Sequence, residues 1–258
     1  MKLDYKKRTA IGNLAEKTIE RFLLQLDIKV INIGSIFNNF LHSDDSNVIR
    51  DDIRSDHLKD DIGFVMLRYM PDLFVISPKN KKFCIYIDVK AMFTPVFLKK
   101  FQNELENTYK KEFPVFSIAN IEREALRSYQ AYEKAGAKVA ILAVCSFNPN
   151  TILCDYINNI DLLYTDTEQR NNNSAGSTTP RTNIDLRSMR TFENFLKEEF
   201  SLNNISRYQD LLDFIKGKIN FIGCPASLLE NDYTKNRVNA VHRRLQDENS
   251  RQLFLYEI

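Results

Sequence analysis

FVMLRYMPDLFVIS, Phe64 to Ser77, passes through PKNKK, Pro78 to Lys82, into FCIYIDVKAM, Phe83 to Met92. The outer runs are rich in β-branched and aromatic residues and the segment between them in turn formers, so the stretch predicts an antiparallel hairpin. Side chains alternate along a strand. Phe83, Ile85, Ile87 and Val89 therefore share one face of the second strand, and Cys84, Tyr86, Asp88 and Lys90 share the other. The first face is wholly apolar, whereas the second ends in an acid and a base. Burying either charge alone would cost several kcal/mol, so Asp88 and Lys90 must meet partners, a metal or water.

Outward from this hairpin, Ile11, Leu14, Ala15, Thr18, Phe22 and Leu26 recur at helical spacing, predicting an amphipathic helix over about 9–26 with Glu16 on its shoulder. IKVINI, residues 28–33, reads as a short strand. Residues 34–61 crowd seven aspartates with His42 and His57 and read as an exposed connection, because their spacing matches no metal-binding loop. Downstream, Ile121, Ala125, Leu126, Tyr129 and Tyr132 predict a helix over 119–135 that stops at Gly136. KVAILAVC, Lys138 to Cys145, has the continuous apolar character of a central strand, and 151–157 is a candidate to pair beside it.

Residues 165–183 lack hydrophobic periodicity and read as a flexible loop or linker, which divides the chain into a core of residues 1–164 and a C-terminal region of residues 184–258. That region reads as mainly helical, with helices near 188–200 (Ser188 as cap), 207–217 and 232–248 and a closing strand at 252–257. It would pack on the core or contact substrate.

The 258 residues, 43% hydrophobic and 27% charged, suffice for one or two globular domains and exclude a small stapled scaffold. A formal net charge of +2 neither demands nor forbids a polyanionic partner. Cys84, Cys145, Cys154 and Cys224 show no CxxC spacing and read as reduced residues; with only three histidines, zinc sites are not expected. No apolar stretch approaches the ~20 residues needed to span a bilayer, so the expectation is a cytoplasmic protein with no membrane partner.

The order helix, strand, strand, strand, helix, strand, with Pro71-Asp72, fifteen intervening residues and Asp88-Val89-Lys90, resembles the PD-(D/E)xK nuclease superfamily over about residues 9–157. Asp27-Ile28-Lys29 repeats the DxK pattern outside that context. The resemblance implies an α/β fold: a restriction-endonuclease-like αβββαβ core with a central mixed sheet. It also implies a Mg²⁺-dependent endodeoxyribonuclease, with Mn²⁺ able to substitute. Asp72, Asp88 and the Val89 carbonyl would ligate the metal, Lys90 would position or deprotonate the attacking water, and Glu16 would be an auxiliary carboxylate. The chemistry stands apart from the resemblance. Two carboxylates on neighbouring strands offer hard oxygen ligands for Mg²⁺, and a bound divalent ion offsets the anionic phosphodiester. Gln130 matches a glutamine of some exonuclease relatives, but Lys134 stands where their tyrosine would be, and that role is not carried over.

DNA is the expected partner, with a homodimer if duplex cleavage is symmetric. Lys99, Lys100, Lys110, Lys111, Arg123 and Arg127, with Tyr109, Tyr129 and Tyr132 among them, could line a phosphate track or form a solvated face; Arg243 and Arg244 have the same standing. Two rival functions remain open: a junction- or flap-specific repair nuclease, and a binding or assembly module that keeps the fold without catalysis.

Overall fold

A computed structural model describes residues 5–34, 61–76, 84–92, 99–113, 117–145, 152–163 and 181–218. Helix α1 (Tyr5–Gln25) is followed by β1 (Lys29–Asn32), α2 (Ile62–Arg68), β2 (Leu73–Ile76) and β3 (Cys84–Met92). Then come α3 (Lys99–Tyr109), β4 (Ile118–Glu122), α4 (Arg123–Lys134), β5 (Lys138–Cys145), β6 (Ile152–Tyr156), β7 (Leu162–Leu163), β8 (Arg181–Asp185), α5 (Phe192–Phe200) and α6 (Tyr208–Lys218). The fold is mixed α/β. Its central sheet has the order β1-β2-β3-β5-β6, in which β3 and β5 are parallel and the other neighbours antiparallel. Three further strands, β4-β8-β7, make a small antiparallel sheet.

Two apolar layers sandwich the central sheet. Ala15, Ile19, Phe22 and Leu23 of α1 pack with Ile85, Ile87 and Val89 of β3 and with Phe192, Phe195 and Phe200 of α5 on one face. On the other, Ala125, Leu126 and Tyr129 of α4 meet Val139, Ile141 and Ala143 of β5, with Tyr86 at the margin. β5 is buried from Val139 to Cys145, as its unbroken apolar run requires of a strand covered on both sides.

Local signals set several boundaries. α1 ends where Asp27 takes a left-handed φ of 58°, the Asp27 N–H donates to the Leu24 carbonyl and the Ile28 N–H to that of Leu23. This is a Schellman cap with buried Ile28 against Leu23, so Asp27 of the second DxK pattern is used as a helix stop. Gly136, at φ 90°, ends α4 in the same way. The cap of α5 is Thr191, whose hydroxyl accepts from the Asn194 N–H, and not Ser188, whose hydroxyl instead donates to the Asp185 carbonyl.

Three expectations are corrected. Residues 62–68 form a helix rather than the start of a strand, because Ser128 Oγ and Tyr132 Oη of α4 donate to the Tyr69 and Met66 carbonyls and seat that segment against α4. Residues 118–122 form β4, paired with β8, so the helix expected from 119 begins at Arg123. Thr182 and Asn183, read as loop, are buried in β8. The hairpin turn, the connection with His42 and His57, and the elements expected at 232–248 and 252–257 lie outside the described residues. Among the described residues no helix is long and apolar enough to cross a membrane.

Arg190 ties α5 to β6. Its guanidinium donates to both oxygens of buried Asp155 at 2.8 and 3.0 Å and to Glu198 and Glu199 at 2.6 and 3.0 Å. Burial would raise the Asp155 carboxyl, but bonds from Arg190 and Asn159 bring it below its ordinary value. Because the folded value is depressed, that stabilisation is complete above the unfolded carboxylate pKa and is lost as pH falls through the folded value. Arg190→Met is expected to cost about 3 kcal/mol at neutral pH, since one partner of a buried pair is left behind. Urea unfolding at pH 7 and at about pH 3 should show that penalty shrinking in acid, where protonated Asp155 no longer needs the cation.

Candidate active site

The register that pairs Leu73 with Ile87 sets Asp72, the residue before β2, opposite Asp88. Alternation then turns Asp72, Asp88 and Lys90 toward the α4 face, together with Phe74 and Tyr86, whose rings meet edge-on at 5.1 Å. Asp72 is held at both ends. Its Oδ2 accepts the Val89 N–H at 2.8 Å, and its carbonyl accepts the N–H groups of Ile33 and Gly34 at 2.8 and 3.1 Å. Lys90 Nζ lies 2.8 Å from Asp88 Oδ2; Asp88 is buried while Lys90 keeps 35% of its side chain exposed.

Glu16 arrives from the opposite layer. Its Oε1 and Asp72 Oδ1 both border Gly34, where a methyl group would stand 3.4 and 3.3 Å from them. Glu16, Asp72, Asp88 and Lys90 lie in one electrostatic neighbourhood. Burial first, and then the Asp88 charge, push the Asp72 carboxyl up to about 8, against the pull of Lys90 and the Val89 N–H. Glu16 is likewise raised, by burial and by Glu20 and Asp88 against a hydrogen bond from Asn32. Burial opposes the Lys90 cation, but Asp88, Tyr129 and Asp72 outweigh it and raise the ammonium well above its usual range. Its partial exposure lets water screen part of that balance.

Tyr129 and Asn32 belong to the site although neither stands out in the sequence as part of it. Tyr129 is completely buried, and its hydroxyl, raised by burial and then by Asp88, closes the α4 side. The periodicity of α4 marks it as core, which it also is. Gln130 is exposed on the same helix.

The basic residues expected on a phosphate track are not gathered in one role. Lys111 contacts Asp185 at 3.1 Å and Asp161 at 3.8 Å, and Arg127 pairs with Glu124 at 2.9 Å. Lys110 is exposed with φ 53°, and Arg123 opens α4. Lys99 and Lys100 begin α3; Arg243 and Arg244 lie outside the described residues.

The donor set suits a hard divalent cation. Asp72, Asp88 and Glu16 offer only oxygen, three carboxyl groups stand against one ammonium, and Asp88 Oδ2 is buried beside Lys90 Nζ at 2.8 Å. Among the described residues, no three His, Cys, Asp or Glu side chains already stand at metal-holding spacing. Lys90 occupies the side of Asp88 that such an ion would share. No protein-family model matches this chain, and neither a curated protein nor a solved structure is found similar to it.

Gly34→Ala tests whether the two layers meet here. The added methyl would force the Asp72 and Glu16 carboxylates to give by a few tenths of an ångström. Calorimetry with Mg²⁺ is expected to show affinity reduced about tenfold, with the unfolding midpoint in chelator nearly unchanged.

Proposed function

We propose that the chain is a metal-dependent nuclease hydrolysing DNA phosphodiester bonds, an endodeoxyribonuclease of the restriction-endonuclease-like kind that its Pro71-Asp72…Asp88-Val89-Lys90 motif, carried on adjacent strands of a mixed sheet, resembles. The observation that carries the reading is Asp72 fixed opposite Asp88 by the Val89 N–H, with Lys90 on the same face of β3. Asp72, Asp88 and the Val89 carbonyl would hold Mg²⁺, or Mn²⁺ in its place, with Glu16 as auxiliary carboxylate. When bound, the ion supplies charge neutralisation at the scissile phosphate and a more acidic water.

The chain's own groups do the rest. Val89 N–H keeps one Asp72 oxygen engaged and so fixes the plane of that carboxylate. Asp88, buried at its base, has little rotamer freedom and keeps its charge in place as substrate arrives. The Lys90 ammonium carries three donors and reaches solvent, so it can hold a water or a phosphate oxygen and offset charge developing there. Tyr129 closes the inner wall to water.

Asp88→Asn keeps shape and removes charge. Mg²⁺-dependent nicking of supercoiled plasmid is expected to disappear while the circular dichroism spectrum stays as in the parent, and undiminished nicking by this variant would refute the reading. Lys90→Ala deletes a cation but no ligand, so turnover should fall by about 10² or more with Mg²⁺ affinity retained. If the parent chain binds neither Mg²⁺ nor Mn²⁺ in calorimetry, the Asp88–Lys90 contact is a structural ion pair, and the non-catalytic module is the correct account.

A further inference from the structure

The innermost side of β1 ends on a polar residue. Ile28 and Val30 pack into the core beneath α1, and period-two alternation carries Asn32 to that same side. Across from it on α1 stand Glu16 and Glu20, four residues apart and therefore stacked one turn from each other. Like charges at this spacing repel. Carboxylates only accept, so the Asn32 amide must turn its NH₂ toward them, and an amide NH₂ has two hydrogens to give. One bond reaches Glu20 Oε2 at 2.8 Å. Glu16 stands one turn before Glu20 on α1, and Asn32 pulls its carboxyl down against the rise that burial gives it.

We propose that Asn32 is a positioning residue for Glu16: its carboxamide, anchored on Glu20 and rooted in β1, holds the Glu16 carboxylate beside Gly34 and Asp72. The proposal rests on the metal-site reading above and adds a residue to it. The bond to Glu20, with Glu16 one turn away on the same helix, directs that role to Glu16. The backbone helps this geometry, because β1 ends at Asn32 and the chain turns at once into a helical conformation at Ile33 and Gly34, whose N–H groups bind the Asp72 carbonyl. One short segment thereby fixes Asp72 by its main chain and Glu16 by a side chain.

A double-mutant cycle read by Mg²⁺ calorimetry separates this role from a general structural one. Asn32→Ala is expected to weaken Mg²⁺ binding about tenfold in the parent chain and by less than about twofold in a Glu16→Gln background, where the group it positions has lost its charge. Unfolding midpoints in chelator should agree across the four proteins. If Asn32→Ala does not fold, Asn32→Thr keeps strand propensity with a side chain too short to join both carboxylates, and the same ratio is expected of it. Equal losses in the two backgrounds, or no loss in the parent, would overturn the role of Asn32 while leaving the metal site standing. A parent chain that takes up no Mg²⁺ would remove the metal reading and this inference together.

Discussion

One hydrogen bond organises the centre of this molecule: the Val89 N–H donating to Asp72 Oδ2 at 2.8 Å. Asp72 stands one residue before the β2 ladder, where a side-chain oxygen takes a backbone donor of β3, and its carbonyl takes two donors from the end of β1. Three strands thus converge on a single residue. Losing the carboxylate would leave a strand N–H without its partner as well as removing a charge, so the sheet and the site are not independently variable here.

That convergence has an electrostatic cost. Asp72 and Asp88 face each other on the side of the sheet that Tyr86, Ile141 and Ala143 help to line, and burial disfavours the charged form of Asp72. Lys90 and the Val89 N–H offset part of this, and the remainder must be carried by stability elsewhere. In the opposite layer Phe22, Phe192 and Tyr208 stack with centroids 6.0–6.5 Å apart, and Arg190 links β6 to α5 through three carboxylates. The aromatic layer contributes burial, and the one hydroxyl in this trio, that of Tyr208, accepts the Glu193 N–H.

Much of this was legible in the sequence, for identifiable reasons. Val139 to Cys145 had to be a covered strand because its apolar run is unbroken; Gly136 had to stop a helix because a left-handed residue was needed there. Asp88 and Lys90 could be assigned to one face of their strand from alternation alone, whereas the face of Asp72 depends on the register of β2 on β3. Other elements were not legible. Phe64 to Met70 has no period that separates strand from helix, and the contacts of Ser128 and Tyr132 that seat 62–68 as a helix come from 59 and 66 residues away. Ile121 continues the helical spacing of α4 and yet sits in β4, since its pairing with Thr182 depends on a strand the polar composition of 165–183 concealed. Asn32 was hidden because its meaning lies in α1 and not in β1.

The layers also explain why so small a residue as Gly34 matters. Glu16 belongs to a helix packed on the Ile85, Ile87 and Val89 face of β3, whereas Asp88 and Lys90 project from the other face, so the sheet stands between them. Only beyond the end of β1 is the barrier gone. There the chain has no side chain at Gly34, and the space a Cβ would take is bordered by both Asp72 Oδ1 at 3.3 Å and Glu16 Oε1 at 3.4 Å. The charge of the site therefore depends on how α1 packs across the sheet as well as on the two motif strands. A shift of α1 by a fraction of an ångström would alter the Glu16–Asp72 relation before it disturbed any ladder hydrogen bond, which couples the aromatic layer beneath α1 to the carboxylates above it.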